Sequence, residues 1–420
     1  MSDRLLIISN HVGKRFTSDT YNSSTKIKLE DPLEFLKIES MIPGEFNKSR
    51  KEFRKILEKE VVPILPEYFE KGEFPLQILP KLKTVMGLMK ESYGCKKLSS
   101  TEKNWNLYEL ARVDGSLATF ILESLGLVVY TIEHLGSEEQ KAKYLPALCN
   151  FDLIGCWGLT EPNFGSDASG LKTSATPVEG GFEISGEKRW IGSATISDIM
   201  IIWARNSQTK EIEGFIIPTK SKGVRVQNIG RKLAMRIIQN GHIYMDKVFV
   251  PSNARLEKGK RFLEGTSEVL QNSRVSIPWI AVGIMSGVYE YCLKYTSDHY
   301  RLSAPISSYQ LAQEKLVRIL GYIQASLLLG WRIDQLRENG SHNRPQSSLT
   351  KAWTTLIGRE VCKLASELVG ENGIIIDNFI MKAMTDMEVV HTYEGTYEVN
   401  ALITGRDITG IAAFKSPFKL

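Results

Sequence analysis

Two neighbouring stretches of the sequence combine small hydrogen-bond donors with a large aromatic side chain. The first, Trp157–Asp167, is rich in turn formers, and Thr160 and Ser166 add hydroxyl groups to its backbone N–H groups. The second, Glu187–Ser193, continues a strand-like alternation and places Trp190 beside that loop. Together they predict a site for an anion or for a flat heteroaromatic ring. The alternative is a solvent-exposed turn followed by a strand whose tryptophan fills the core.

A glutamate near the other end of the chain is a candidate general base. Glu394 lies between Tyr393 and Gly395, in a segment that reads as a turn. A carboxylate can remove a proton from carbon if a dry pocket raises its pKa toward the operating pH. Taken alone, Glu394 is also compatible with a solvated side chain at the surface.

Both regions resemble signatures of the acyl-CoA dehydrogenase and oxidase family. Trp157–Asp167 and Lys188–Gly192 are similar to the flavin-binding signature of that family, and the segment around Glu394 resembles the one that carries its catalytic base. The resemblance extends from about Asp31 to Lys415. Within the family, the two motifs are most similar to plant-type short-chain acyl-CoA oxidase, with glutaryl-CoA dehydrogenase as a near relative.

The resemblance implies FAD-dependent α,β-oxidation of a short-chain acyl-CoA thioester to the trans-2-enoyl-CoA. Glu394 would remove the α-proton, and FAD would accept the β-hydride, because no amino-acid side chain accepts hydride. It also implies a homo-oligomer, a dimer or a tetramer, with electron-transfer flavoprotein as partner of a dehydrogenase and oxygen as acceptor of an oxidase. The cofactor residues implied are Trp157, Leu159, Thr160, Ser166, Trp190, Ile191, Gly192, His299, Gln310, Glu367, Gly370, Thr396 and Glu398, and the substrate residues are Ser166, Arg274, Ala118 and Gly395.

Two segments depart from the family pattern. An arginine that meets the flavin pyrophosphate is replaced by His299, and histidine is a weaker, pH-dependent phosphate partner. Near Gly370, the glutamates Glu367 and Glu371 stand where a neighbouring subunit usually contacts the cofactor. These substitutions predict weaker FAD binding.

Two other functions compete with this one. Glutaryl-CoA dehydrogenase holds the distal carboxylate of its substrate with an arginine, and Ala118 stands at that position here. Burying a free carboxylate without a cation is costly, so the sequence favours a monocarboxylic acyl chain. A catalytically inactive scaffold is the second alternative, motivated by the altered pyrophosphate positions.

Composition excludes several classes of function. A net charge of +5 over 420 residues, with dispersed lysines, gives little support for nucleic-acid binding. Five cysteines without a Cys-x-x-Cys pair favour a reducing compartment, and six scattered histidines predict no metal site. The apolar runs fall short of the roughly 18 residues of a membrane span.

The two ends of the chain predict different compartments. Met1–Phe16 weakly resembles a mitochondrial matrix presequence. Ser416–Leu420 ends in Lys-Leu and approaches a peroxisomal Ser-Lys-Leu signal, but Phe418 occupies the position of the small residue. The sequence therefore does not decide between the peroxisome and the mitochondrial matrix as the location of the protein.

Hydrophobic periodicity predicts an α+β protein in three parts. Helical spacing marks Phe46–Val62 and Asn104–Leu135, with Ser137 as the N-cap of a further helix. Strand-like runs follow, and long helical segments typical of an antiparallel four-helix bundle complete the chain. The predicted regions are a polar lead at 1–30, an N-terminal helical domain at 31–155, a small β domain at 156–255 and a helical bundle at 256–420.

Overall fold

The computed structural model describes residues 31–413, so both candidate targeting segments, Met1–Phe16 and Ser416–Leu420, lie outside the described residues. The described chain forms helices, then a β-sheet, then helices again. The predicted fold class, with an N-terminal helical domain, a middle β domain and a C-terminal helical bundle, is confirmed.

Short helices build the first region. They are α1 Pro32–Phe35, α2 Gly44–Ile56, α3 Leu65–Lys71, α4 Leu79–Leu82, α5 Ser100–Val113, α6 Gly115–Ile121, α7 Tyr130–Leu135 and α8 Glu138–Cys149. Two π-helical segments, Leu57–Val61 and Leu122–Val129, continue α2 and α6. The predicted cap at Ser137 is confirmed, since its hydroxyl accepts from the N–H of Gln140 at 3.2 Å in a capping box.

The prediction of one helix from Asn104 to Leu135 was wrong at Asp114. This residue takes an extended conformation, with φ −163°, and its carboxylate accepts from the N–H groups of Ser116 and Leu117 at 2.7 and 3.0 Å. Asp114 therefore ends α5 and caps α6. The apolar spacing continues across it because both helices bury residues on the same core.

The middle region is one seven-stranded mixed sheet. Its strands are β1 Gly155–Gly158, β2 Ser174–Val178, β3 Gly181–Ile191, β4 Ile199–Asn206, β5 Ile212–Pro218, β6 Val224–Asn228 and β7 Gly241–Pro251. The order is β1-β4-β2-β3-β7-β6, with β5 on the other edge of β4. β4 runs parallel to β1 and β2, while β3 pairs antiparallel with β2 and β7, and its register with β7 shifts between Lys188 and Ile191. This irregularity lies beside Trp190.

The last region is a bundle of long helices. They are α9 Thr266–Arg274, α10 Ile277–Asp298, α11 Gln310–Glu338, α12 Arg344–Val369, α13 Phe379–Thr392 and α14 Tyr397–Thr409, with a two-stranded hairpin, β8 Tyr300–Arg301 and β9 Ala304–Pro305, between α10 and α11. The helix is interrupted between Arg274 and Ile277, and Pro278 occupies the first turn of α10, where a proline is well tolerated. Short connections make α10, α11, α12 and α13 successive antiparallel neighbours.

Two helical stretches are long and apolar enough, by length and composition, to cross a membrane: Gly115–Leu135 and Gln310–Glu338. The apolar window of the first is 89% buried inside the protein, as in a core helix. This is therefore weak evidence for a membrane span. The five cysteines are free and buried.

Candidate functional site

Glu394 occupies a tight turn between α13 and α14. Its φ of 56° is left-handed, a conformation that is costly for a residue with a side chain, and Gly395 follows with φ 91°. The hydroxyl of Ser273 donates to the Glu394 carboxylate at 2.7 Å. Burial raises the pKa of Glu394, and Ser273, Arg274 and Lys351 oppose that rise only in part. The surrounding protein encloses the carboxyl, yet the residue keeps partial access to solvent.

Helix α9 fixes the other side of this turn. Its last residues, Ser273 and Arg274, are both buried, and the Arg274 Nε donates to the backbone carbonyl of Glu394 at 3.0 Å. The Arg274 Nη1 is also buried and has no hydrogen-bond partner among residues 31–413. A buried, unpaired guanidinium nitrogen is expensive unless a ligand accepts from it.

Two further side chains hold the carbonyls of the turn. Lys351, fully buried in α12, donates through Nζ to the carbonyls of His391 and Gly395 at 2.6 and 2.7 Å. Asn400 of α14 donates to the same Gly395 oxygen at 2.8 Å. Burial lowers the pKa of Lys351 to about 7. The conformation of Glu394 is thus fixed by contacts from three helices, α9, α12 and α14.

The end of β3 forms a second strained segment. Trp190 and Ser193 both have left-handed φ, 65° and 56°, and the Trp190 indole is 54% exposed although its neighbours Ile191 and Gly192 are buried. The guanidinium of Arg189 lies 5.3 Å from the indole ring centroid. A half-exposed flat indole beside buried backbone provides a platform against which a ring system can stack.

The loop after β1 is attached to β3 by a buried ion pair. The Lys188 Nζ lies 2.8 Å from the Glu161 carboxylate and 3.0 Å from the Leu159 carbonyl, and Glu161 also accepts from the N–H of Thr173 at 2.9 Å. Burial lowers the pKa of Lys188 to about 8. The Thr160 carbonyl accepts from the N–H of Arg189 at 2.8 Å. The two sequence stretches that predicted the site are therefore adjacent in space.

A buried glutamate joins these two parts of the site. Glu123, in the π-helical segment, accepts from the Ser193 hydroxyl at 3.1 Å and from the backbone N–H of Gly192. It is also close enough to Glu394 for the two charges to repel, which helps burial to raise the pKa of Glu123 to about 8. Glu123 therefore contacts the end of β3 and lies near enough to the base turn to feel the charge of Glu394.

Other predicted residues lie elsewhere. His299 follows α10, Gln310 begins α11, and Glu367 and Gly370 lie at the end of α12, so all four lie at the end of the bundle opposite Glu394. The 22 residues of α10 separate the two ends by about 33 Å. His299 is exposed and stacks on Tyr295 at 3.8 Å between ring centroids. One chain therefore does not bring these four residues to Glu394.

Comparison with known proteins agrees with this geometry. Three family models match consecutive parts of the chain: the acyl-CoA dehydrogenase N-terminal domain at residues 44–152, the middle domain at 156–248 and the C-terminal domain at 258–409. The chain belongs to the acyl-CoA dehydrogenase family. It is an enzyme of this family acting on CH–CH groups, and its cofactor is FAD.

Individual relatives are distant but nearly full-length. An acyl-CoA dehydrogenase of Bacillus subtilis is 26% identical over 86% of this chain and 97% of its own, and the mitochondrial short-chain specific acyl-CoA dehydrogenase of Rattus norvegicus is 24% identical over 86% and 89%. Among solved structures, a glutaryl-CoA dehydrogenase from Mycobacterium smegmatis in complex with FADH2 matches with a TM-score of 0.88 and 28% identity, covering 92% of this chain and all of that chain.

The residues around β3 fit the flavin of this acyl-CoA dehydrogenase family member. The half-exposed indole of Trp190, the buried backbone of Ile191 and Gly192, and the partly accessible Thr160 lie together at the end of β3. The unpaired Arg274 Nη1 lies beside Glu394. An exposed flat indole can stack on an isoalloxazine ring, and an unpaired buried donor can bind a thioester oxygen.

Several predicted residues have structural roles that the sequence did not indicate. The Trp157 indole is buried and donates to the hydroxyl of Thr131 at 3.2 Å, so it supports the loop from the core. The Thr396 hydroxyl caps α14 by accepting from the N–H of Val399 at 3.4 Å. Ala118 is fully buried in α6, while Ser166 and Glu398 are exposed. Their contacts with cofactor or substrate stay predictions.

Four residues of the site were missed by sequence reasoning: Ser273, Lys351, Glu123 and Asn400. Each lies inside a helix, where a polar residue ordinarily indicates a solvent-facing position. A usable signal existed only for Ser273, which directly precedes the predicted Arg274. Lys351 contacts a loop 40 to 44 residues away, and no local pattern reports such a contact.

Proposed function

We propose that the protein oxidises a short-chain, monocarboxylic acyl-CoA thioester to the trans-2-enoyl-CoA, with Glu394 as the base. The observation that carries this proposal is the position of Glu394. It is an enclosed carboxyl of raised pKa, held in a left-handed turn by Ser273 and Arg274. Raising the pKa of a carboxylate brings it toward the range in which it abstracts a proton effectively.

The chain's own residues account for the protein's part in this reaction. FAD supplies the acceptor for the hydride that leaves the β-carbon. Glu394 takes the α-proton, and the Ser273 hydroxyl orients its carboxylate for that transfer. Arg274 and Gly395 border the thioester, where the free Arg274 Nη1 can donate to an oxygen of the substrate. Trp190, whose indole is half exposed, would cover one face of the flat cofactor and shield it from water.

The neutral, monocarboxylic tail is supported by Ala118. It is fully buried in α6, next to Thr119, whose hydroxyl lies 3.3 Å from the hydroxyl of Tyr393. A distal carboxylate bound near this helix would meet a methyl group instead of a cation. Short chain length is supported by the rat relative, which is named short-chain specific.

We also propose that the enzyme is a homo-oligomer, in which the His299 end of one copy completes the cofactor site of another. Large apolar side chains are exposed along the outer helices of the bundle; they are Leu311, Val317 and Leu328 of α11, Leu349 and Trp353 of α12, and Leu402 and Ile408 of α14. Such a surface is typical of an interface. Sedimentation of the holoenzyme should show a dimer or tetramer, and Trp353→Asp should shift it toward monomer.

One experiment tests the activity and the rival functions together. Purified holoenzyme is mixed with butyryl-CoA or glutaryl-CoA, with and without oxygen, and the flavin absorbance is followed. We expect butyryl-CoA to bleach the flavin without oxygen and glutaryl-CoA to do so far more slowly. Rapid re-oxidation in air indicates an oxidase, and persistent bleaching indicates a dehydrogenase that uses electron-transfer flavoprotein. Faster bleaching by glutaryl-CoA, or none by either thioester, contradicts the proposal.

A further inference from the structure

The pairing of β3 with β7 is irregular at Trp190. The register leaves two residues of β3, Arg189 and Trp190, opposite a single residue of β7, His242. A bulge of this kind bends a strand and redirects its side chains. The sheet therefore places a histidine beside the strained, half-exposed tryptophan of the site.

The His242 imidazole links Arg189 to Glu187. Its Nδ1 lies 3.0 Å from the Arg189 Nη1, and its Nε2 lies 2.7 Å from the Glu187 carboxylate. The same guanidinium lies 5.3 Å from the centroid of the Trp190 indole. Within residues 31–413, Nδ1 of His242 is the one hydrogen-bond partner of the Arg189 side chain. His242 thus fixes the cation that contacts the indole.

These contacts require one protonation state of His242. A guanidinium carries donors only, so the imidazole nitrogen that faces Arg189 must be an acceptor. The Glu187 carboxylate needs a donor, so the proton lies on Nε2. The Tyr244 hydroxyl, 3.1 Å from Nδ1, can donate to the same lone pair. The arrangement therefore fits the neutral imidazole.

Protonation of Nδ1 would break the contact with Arg189. Histidine ordinarily changes charge between about pH 5 and 8. The imidazolium would present a donor and a positive charge to Arg189, while its hydrogen bond to Glu187 would become charge-assisted. Arg225 of β6, 3.8 Å from the Tyr244 ring centroid, adds positive charge on the other side. His242 would stay with Glu187, and Arg189 would leave.

An open groove brings solvent to this cluster. It has a volume of about 630 Å³, lies between β3, β6 and β7, and is lined in part by Glu187, Arg225 and Tyr244. His242 is buried beneath it, with its imidazole stacked on the Tyr244 ring at 4.1 Å between centroids. Solvent protons can therefore reach the hydrogen-bond partners of the imidazole without opening the sheet.

We propose that His242 is a positioning residue for Trp190. When neutral, it holds Arg189 against the indole; when protonated, it releases Arg189, and Trp190 loses that contact. One proton passes from solvent to Nδ1, and no other covalent bond changes. The consequence for the flavin rests on the proposed function, in which Trp190 covers one face of the cofactor. Acidification should therefore loosen this cover.

The test follows Trp190 by fluorine NMR in holoenzyme labelled with fluorotryptophan. The chain has seven tryptophans, and the resonance of Trp190 is identified by its absence in Trp190→Phe. We expect this resonance to move through a single transition as the pH falls from about 8 to about 5. Flavin fluorescence per bound FAD should rise over the same transition, because a stacked indole quenches a flavin.

Three substitutions assign the transition to this contact. His242→Asn keeps an acceptor near the position of Nδ1 but takes no proton, so the Trp190 resonance should stay at its alkaline position throughout. His242→Lys carries a permanent charge and should hold the resonance at its acidic position. Arg189→Met removes the guanidinium and should abolish the transition although the histidine is still present.

A fourth variant gives a direction that a merely structural role would not. Glu187→Gln removes the carboxylate that favours the imidazolium, so the transition should move to lower pH by about 0.5 to 1 unit. His134→Gln is the control, because His134 is another partly buried histidine stacked on a tyrosine, Tyr130, at 3.8 Å between ring centroids. It should leave the transition unchanged. Thermal stability and bound FAD are measured for every variant.

The outcomes separate this inference from the function on which its consequence rests. A Trp190 resonance that does not move with pH, or that still moves in His242→Asn or Arg189→Met, overturns the role of His242. If substitution at position 242 prevents folding, Arg189→Met and Glu187→Gln decide.

A moving resonance with constant flavin fluorescence supports the role of His242 and overturns the position of Trp190 over the flavin. Failure of every acyl-CoA to bleach the wild-type flavin overturns the oxidation alone, because the fluorine resonance still reports on His242.

Discussion

The two ends of the C-terminal bundle are built on opposite principles. At the Glu394 end, the left-handed glutamate is held by buried side chains from α9, α12 and α14. The backbone carbonyls of Glu394 and Gly395 both accept hydrogen bonds from these side chains. At the other end, His299, Gln310, Glu367 and Gly370 are exposed, and Glu367 pairs with Lys315 at 2.7 Å on the surface. The contacts that hold the Glu394 turn all come from one chain, whereas the second end is a solvent-exposed surface.

This contrast explains why substitutions should act differently at the two ends. Backbone strain is maintained only where surrounding contacts compensate for it, so losing one contact near Glu394 affects both stability and geometry. Exposed ion pairs such as Lys315 with Glu367 contribute little to stability. Changes at the His299 end should therefore alter cofactor retention and assembly and leave the fold of the single chain intact.

The largest effect should come from Glu394→Gln. The amide keeps the size and most hydrogen bonds of the carboxyl but cannot take the α-proton, so acyl-CoA should still bind while flavin reduction slows by at least about 10²- to 10⁴-fold. In the parent, reduction should become faster as pH rises, because the raised pKa of Glu394 keeps it protonated at low pH. Anaerobic stopped-flow bleaching measures both.

Glu388→Gln is the matched control for that variant. Glu388 lies in α13, six residues before Glu394, and forms an exposed ion pair with Arg359 at 2.7 Å. Its substitution should leave the reduction rate within about twofold, as expected for a surface pair. A Glu394→Gln rate within about tenfold of the parent would assign the base to another residue.

Lys351→Met should have the next largest effect. The thioether removes the Nζ donor from the partly buried carbonyls of His391 and Gly395. Gly395 keeps its hydrogen bond from Asn400, so the main loss is the unsatisfied His391 carbonyl, which costs about 1 to 3 kcal/mol. Burial of the Lys351 ammonium is itself unfavourable and lowers its pKa to about 7. Replacing this group with an apolar side chain removes that penalty and offsets part of the cost. We expect a loss of about 2 kcal/mol in the free energy of unfolding and slower flavin reduction.

Lys363→Met on the same helix provides the comparison, because Lys363 is exposed and lies 3.9 Å from Glu360. Denaturant unfolding of both variants should show a clear loss for position 351 and almost none for position 363. Equal stabilities would mean that Lys351 does not hold the Glu394 turn.

Most of the fold could be predicted from local pattern. The strand-like alternation that continues into Glu187–Ser193 is observed as β3. The Ser137 N-cap was correct because its capping box depends on residues only three apart. The break at Asp114 was missed, since an aspartate within continuous apolar spacing can face solvent or cap a helix equally well. Tertiary packing decided between those two options.

The site was predictable only where its residues form contiguous motifs. Glu394 and Trp190 were selected because the segments around them resemble the base-bearing and flavin-binding signatures of the family. Sequence could not tell that Trp157 is buried while Trp190 is half exposed, because both lie in similar settings. Glu123 and Lys351 depend on contacts with segments 40 or more residues away, and helical periodicity alone assigns such residues to a solvated face.

Gly395→Ala tests the strain at the Glu394 end with a smaller effect. The added Cβ meets a left-handed φ of 91° and lies 3.1 Å from the Asn400 Nδ2, so we expect about 1 to 2 kcal/mol of destabilisation. Gly405→Ala is the opposite case, since Gly405 lies inside α14 with open space around it. It should stabilise by about 0.5 to 1 kcal/mol. If Gly395→Ala and Gly405→Ala shift the melting temperature in the same direction, the backbone strain assigned to Gly395 is contradicted.

The smallest effect is expected at the other end, from His299→Arg. Arginine carries a permanent charge and binds phosphate through several donors, so FAD retention should rise if position 299 reaches a pyrophosphate. Because His299 lies about 33 Å from the Glu394 end of its own chain, the gain should require assembly.

The measurement is the ratio of flavin to protein absorbance after dialysis, taken for the assembled protein and for the Trp353→Asp variant that weakens assembly. We expect severalfold higher retention from His299→Arg in the assembled protein and no gain in the Trp353→Asp background. Arg301→Lys, in the adjacent exposed hairpin, is the control and should change neither value. An unchanged occupancy in assembled His299→Arg would remove position 299 from the cofactor site, and an equal gain in both backgrounds would place that site within one chain.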